Sequence, residues 1–101
     1  MGKEDYKFVN NKDERQYEYH VDGQICMIEY VVKNGKDVYL THTGVPSDLR
    51  GKGLGKQLVQ KTLQDIEKND MDVVPLCAFV ASYISKNPQW KRLLKDGISL
   101  G

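Results

Sequence analysis

The sequence predicts an α+β fold: an antiparallel meander of about four strands, one crossover helix, a parallel fifth strand, and helices at the C-terminus. Three observations carry this. Two hairpin dipeptides, Asp22-Gly23 and Asn34-Gly35, punctuate the first half, and two-residue type I′ turns favour such pairs because both central residues need positive φ. The flanks "YEYHV", "QICMIEYVVK" and "KDVYLTHT" are rich in the β-branched and aromatic residues that suit strands. From Gly53 onward the apolar residues change period, from alternation to the three-to-four spacing of a helix.

The elements follow in order. "YKFVN" is a first short strand and "NKDER" a polar turn. Turn geometry then sets the register: Val21 faces Gln24, His20 faces Ile25 and Tyr19 faces Cys26, while a two-residue turn at Asn34-Gly35 pairs Lys33 with Lys36, Val31 with Val38, Tyr30 with Tyr39 and Met27 with His42. One face then carries Tyr17, Tyr19, Cys26, Ile28, Tyr30 and Tyr39. The other carries His20, Ile25, Met27, Glu29, Val31, Val38, Leu40 and His42. Both faces are partly apolar, so helices are expected over both. Leu54, Leu58, Val59, Leu63 and Ile66 form one helical stripe that stops near Asn69-Asp70. "MDVVPLC" is a short apolar strand, and strand–helix–strand implies a right-handed parallel crossover. Pro75 lacks a donor and predicts an edge or a local break. "AFVASYISKN" reads as a helix, and Pro88 starts a last one through "QWKRLLK", ended by Gly97.

A chain of 101 residues reads as one domain over 1–101, able to bury roughly 60–70% of its unfolded surface. Fifteen Lys and Arg against fourteen Asp and Glu give a net charge of +1, which argues against a general nucleic-acid binder. Two cysteines, 51 positions apart, and two histidines show no metal-ligand spacing, so no metal is expected. The N-terminus "MGKEDYKF" is charged from its third residue and lacks the myristoylation pattern. No apolar run reaches the roughly 18–20 residues that span a bilayer. These features predict a soluble, reduced, cytoplasmic chain without a membrane partner, monomeric or weakly dimeric.

The stretch "RGKGLGK" at residues 50–56 is the chemical centre of the sequence. Glycines let backbone approach a ligand closely, a helix N-terminus offers N–H groups and a positive dipole end, and Arg50, Lys52 and Lys56 add charge. A pyrophosphate fits such a turn. The Rossmann fingerprint fails because the spacing is GxGxG and does not follow a strand directly. Walker A fails because Gln57 stands where Ser or Thr is required.

The loop follows the last strand of the meander and opens the crossover helix, and in that place it resembles the pyrophosphate motif of the GNAT superfamily, the acetyl-CoA-dependent N-acetyltransferases. Arg50, Gly53 and Gly55 match Gln/Arg-x-x-Gly-x-Gly/Ala position by position, and Val73 through Pro88 is similar to "VVPLCxFVxxYIxxxP" of the short stand-alone members. The resemblance covers about residues 15–95 and implies a truncated GNAT-like fold. It implies acetyl-CoA (CoA) bound by Thr43, Gly44 and Val45 and by Arg50, Gly51, Lys52, Gly53, Leu54, Gly55 and Lys56, with an amine as acceptor. The catalytic candidates are His42 as general base, Cys77 as nucleophile or proton donor with His42 lowering its pKa, and Tyr83, at the place of a tyrosine that protonates the leaving thiolate in many relatives. The plainer readings are a strand-end histidine packed on Met27, a small buried thiol, and an aromatic in a helical stripe. Full-size relatives place helices between their first two strands, where only "NKDER" stands here. A non-catalytic acyl-CoA-binding module is therefore the alternative to a transferase.

Overall fold

Strands β1 (Lys7–Asn11), β2 (Gln16–Val21), β3 (Gln24–Lys33) and β4 (Asp37–Gly44) form the antiparallel meander in the computed structural model, which describes residues 6–100. Helix α1 (Leu54–Lys68) crosses over to β5 (Asp72–Pro75), which pairs in parallel with β4, so the sheet order is β1-β2-β3-β4-β5. Helix α2 (Ala78–Lys86) follows. This is the predicted architecture. The expected last helix is a 3-10 segment, Pro88–Leu93, and the chain beyond it runs beside β5 through a Val73–Leu94 bridge. Residues 1–5, which carried the reading of the N-terminus, lie outside the described residues. Among the described residues no helix is long and apolar enough to cross a membrane.

The core sits on one face of the sheet. Leu58, Val59, Leu63 and Ile66 of α1 are fully buried there with Ile28, Leu40 and Val73 of the sheet and Val80 and Ile84 of α2. Each such side chain contributes about 1.5–3 kcal/mol relative to exposure. Two tyrosines anchor α1 to the sheet, Tyr17 through Asp65 (2.9 Å) and Tyr19 through Gln57 (3.0 Å). Helices do not cover both faces as expected: α1 and α2 share one core, and Ile25 and Val31 of the opposite face stay exposed.

The β2–β3 register is as predicted, with Val21 on Gln24 and Tyr19 on Cys26. The β3–β4 register is not. Asn34 and Gly35 both adopt positive φ and Lys36 N–H bonds Lys33 O, yet the ladder resumes with Lys33 on Asp37, not Lys36. That extra residue pairs Tyr30 with Leu40 and Val31 with Tyr39, not Tyr30 with Tyr39 or Val31 with Val38. A one-residue slip exchanges faces, so Val38 and Leu40 enter the core while Tyr39 leaves it. A bulge then restores the phase: Glu29 pairs with His42, Ile28 with Thr43 and Met27 with Gly44. Thr41 is the residue left over. The bulge returns Thr43 to the helix-covered face and His42 to the open one.

Candidate functional site

The strands β4 and β5 part at Leu40. Its carbonyl accepts from both Leu76 N–H and Cys77 N–H at 3.0 Å, and the paired ladder ends at Leu40–Pro75. Proline supplies no N–H to continue it, which is the local break expected at Pro75. Beyond this pivot β4 runs on to Gly44 while the other chain turns into α2, leaving a cleft between them. Thr43 Oγ1 and Cys77 Sγ face each other across it at 3.2 Å.

Thr43 also borders a cavity of about 460 Å³ at the start of α1. Thr43 and Val45, the turn residues Arg50, Gly51 and Gly53, and Leu54, Gly55 and Lys56 of the first turn of α1 line it. Leu49 and Phe79 complete it; the sequence reading assigned neither to the site, and Phe79 hid as one more apolar residue of a helical stripe. Gly44 and Lys52 do not line it. Gly53 is the N-cap of α1 at φ 75°, and no side chain caps the helix. The N–H groups of Leu54, Gly55 and Lys56 therefore lack intrahelical partners and face outward at the positive dipole end. Gly55 is small for a reason: a Cβ there would lie 2.9 Å from Phe79 Cζ and 3.4 Å from Val45 Cγ2. Arg50 folds back to donate from Nε to Val45 O (3.4 Å). Among the described residues no carboxylate lines the cavity.

Cys77 is the N-cap of α2 and half-buried. Burial raises its thiol pKa. The Thr43 hydroxyl, the N–H groups of Val80 and Phe79, which face the sulfur without a formed capping bond, and the Thr43 backbone more than offset this, so the net direction is down. A helix N-terminus favours thiolate in this way. His42 is exposed on the opposite face of β4, paired with Glu29 and near Met27. The expected His42–Cys77 contact does not form; the neighbour of the thiol on β4 is Thr43, brought there by a bulge that spacing does not reveal. Tyr83 does not line this cavity but a separate groove between α1 and α2.

A family model described as GCN5-related N-acetyl-transferase matches residues 16–93. The chain belongs to the GCN5-related N-acetyltransferase family. Protein NATD1 of Xenopus tropicalis and of Mus musculus are each 29% identical to this family member over 83 residues, 78% of this chain and 74% of the relative. The solution structure of a GCN5-like protein from Staphylococcus aureus superposes with a TM-score of 0.70 at 21% identity, covering 98% of this chain and 94% of that one. That last likeness is one of fold. The family as a whole generally uses acetyl-CoA, and the residues present fit such a ligand: unpaired N–H groups, a glycine whose Cβ would meet Phe79 at 2.9 Å, and two cations without a lining carboxylate.

Proposed function

We propose that the chain binds acetyl-CoA in the cavity at the start of α1 and transfers the acetyl group to an amine. The observation that carries this reading is a basic, glycine-lined cavity whose wall residue Thr43 lies 3.2 Å from the Cys77 thiol, a thiol whose pKa is lowered. Arg50, Lys56 and the free N–H groups of α1 bind the pyrophosphate, while Val45 and Phe79 wall the cavity against water. When bound, acetyl-CoA supplies an acyl group activated as a thioester. Cys77 and Thr43 hold a proton between Sγ and Oγ1 beside it, and the same thiol is the nucleophile if transfer passes through the protein. His42 is the base we assign to an amine arriving from the open face of the sheet, since histidine is the usual general base at neutral pH.

A non-catalytic acyl-CoA-binding module is the second reading, favoured by the short turn joining β1 to β2 and by the open face that His42 shares with exposed Ile25 and Val31. Calorimetry with acetyl-CoA, and mass spectrometry of an amine mixture incubated with it, separate the two. The transferase gives a binding isotherm and acetylated amine; the module gives the isotherm alone. Gly53→Asp puts bulk and negative charge at the pyrophosphate and should weaken binding at least tenfold; equal binding by this variant, or amide shifts absent from residues 50–56, overturns the assignment of the loop.

A further inference from the structure

Another cavity, about 700 Å³, lies at the opposite end of α1, where Asn69 and Met71 face the sheet. Sheet order arranges its lining. Asn10 stands on β1, Tyr17 on β2, Tyr30 on β3 and Val38 on β4, so the floor crosses four strands in turn. In the middle the Tyr17 and Tyr30 rings lie 5.0 Å apart, with Phe8 of β1 stacked on Tyr17 (5.6 Å, 11°). Toward β4 the lining is apolar, through Val32, Val38 and Met71. Toward β1 it is Asn10 with Lys12 and Arg15 of the turn that joins β1 to β2. The cavity therefore has an aromatic middle, an apolar end and a cationic end. Val31 and Val32, which also line it, are 40% and 42% exposed, apolar surface left to water.

The cationic end is held at a cost. Arg15 adopts φ 55°, the left-handed region that is uncommon for a residue with a side chain and easy for glycine. It is pinned there: its N–H donates to Lys12 O (3.3 Å) and its carbonyl accepts from Tyr30 N–H (2.9 Å). Nothing in the backbone of the turn calls for a guanidinium at that position; the cavity it lines does. Among the described residues, carboxylates pair with His20, Lys36, Arg92 and Lys95, and with neither Lys12 nor Arg15. Asp13 and Glu14 share the turn but do not line the cavity, nor does Asp65, whose carboxylate accepts from the Tyr17 hydroxyl (2.9 Å). The Tyr30 hydroxyl donates to Asn10 Oδ1 (2.6 Å), which leaves the Asn10 amide nitrogen as a third donor beside the two cations. Helix α1 ends at this cavity, and its Asp65, Ile66 and Glu67 carbonyls are engaged by the N–H groups of Asn69, Met71 and Asp70. Donors without a lining acid suit an anion, and the tyrosines beside them suit a flat ring. A largely apolar lining with a few convergent polar groups is the usual make-up of a small-molecule site.

We propose that this cavity binds a small planar aromatic carboxylate, with the anionic group on Arg15, Lys12 and the Asn10 amide and the ring against Tyr17, Tyr30 and Met71. The planar fork of arginine matches a carboxylate, and offset or edge-on contact with the tyrosines holds the ring. The site lies at the far end of α1 from the glycine loop and shares no lining residue with the cavity there. It stands independently of the acetyl-CoA reading.

Amide NMR titrations with 2-naphthoate, 2-naphthamide and acetate test it. The naphthoate should shift the amides of Arg15, Tyr30 and Met71 in a saturable way and leave residues 50–56 in place. Naphthamide, the ring without the charge, and acetate, the charge without the ring, should each bind at least about tenfold more weakly. Arg15→Gly suits the left-handed backbone, so it should keep the fold and its Tm, yet weaken naphthoate roughly tenfold, the scale of a charge-assisted contact. Lys12→Gln should weaken it severalfold, and Lys91→Gln, on the segment after α2, should leave it unchanged. Equal affinity for naphthamide, or undiminished naphthoate binding by Arg15→Gly, shows that the cations do not read the ligand and overturns the proposal. Shifts centred on residues 50–56, or none that saturate, overturn it as well.

Discussion

Around each of the two cysteines the sulfur has different company. Cys26 is fully buried on the helix-covered face of β3, where burial alone acts and raises its pKa. Cys77 loses to burial too, but the Thr43 hydroxyl and the N–H groups at the start of α2 stabilise its thiolate by more. A lowered thiol pKa means a larger thiolate fraction at neutral pH, and thiolate is the form that reacts. Iodoacetamide at pH 7 should therefore modify Cys77 in the folded protein and spare Cys26. Thr43→Val removes one hydrogen bond worth about 1 kcal/mol, under one pKa unit at about 1.36 kcal/mol per unit, so alkylation of Cys77 should slow roughly three- to fivefold. An unchanged rate would assign the shift to the α2 N–H groups alone. The candidacy of Cys77 was legible in the sequence from its place at the end of an apolar strand. Its partner was not, because residue spacing on a regular strand cannot show a bulge.

At the scale of elements the difference between the two hairpins is instructive. Asp22-Gly23 closed as a two-residue turn and transmitted its register to all of β2 and to β3 as far as Glu29. Asn34-Gly35 has the same chemistry and the same positive φ values, yet Lys36 joined the turn. Asp37 is then 1% exposed, with its carboxylate accepting from Asn34 Nδ2 (3.2 Å) and Lys95 Nζ (2.9 Å). Lys95 is 58 positions away in the chain, so the pairing that accompanies the longer turn is tertiary and invisible to a local pattern. The loop opening α1 was legible because glycine is demanded there by backbone geometry. What the pattern could not supply was the ring that closes on it. Gly55→Ala should show this: helix propensity gains up to about 1 kcal/mol, while the new Cβ, 2.9 Å from Phe79 Cζ, must displace a ring that is 41% exposed. We expect stability to change by less than about 1 kcal/mol and Phe79 ring resonances to shift, with weaker acetyl-CoA binding. Gly55→Leu cannot be absorbed this way and should cost about 1–3 kcal/mol as overpacking. Phe79 resonances unmoved in the Ala variant would mean that α1, not the ring, gives way.

For the molecule as a whole, the segment after α2, whose Trp90 and Leu93 join the core, is further fastened to the sheet by a half-buried ion pair and a strand-like bridge. Lys95 N–H bonds Val73 O (3.0 Å) while its Nζ reaches Asp37, so backbone and side chain of one residue clasp β5 and β4 together. The hydrogen bond from Lys95, then that from Asn34, holds the Asp37 carboxyl below the usual range against a smaller opposing effect of burial. The hydrogen bond to Asp37 pushes Lys95 up. The signs differ between the partners. A depressed carboxyl contributes stability that is complete above its unfolded pKa and is lost as pH falls through the folded one; a raised lysine contributes stability that is complete below its unfolded pKa and is lost as pH rises through the folded one. The clasp should therefore be whole between about pH 5 and pH 9 and weaken on both sides. Asp37→Asn keeps the size of the side chain and removes its charge. Its Tm should fall below wild type at pH 7, and the gap should narrow as pH falls below about 5 through the lowered pKa of Asp37, where wild type loses the charge as well. Amide exchange at Lys95 should quicken in the variant at pH 7 while Leu63 and Ile66 of the core keep their protection. Parallel Tm curves for the two proteins across that acid range would show that Asp37 acts by shape and hydrogen bonding rather than by charge. Exchange that quickens equally in α1 would show that the clasp is part of the global fold, not a local fastening of the C-terminal segment.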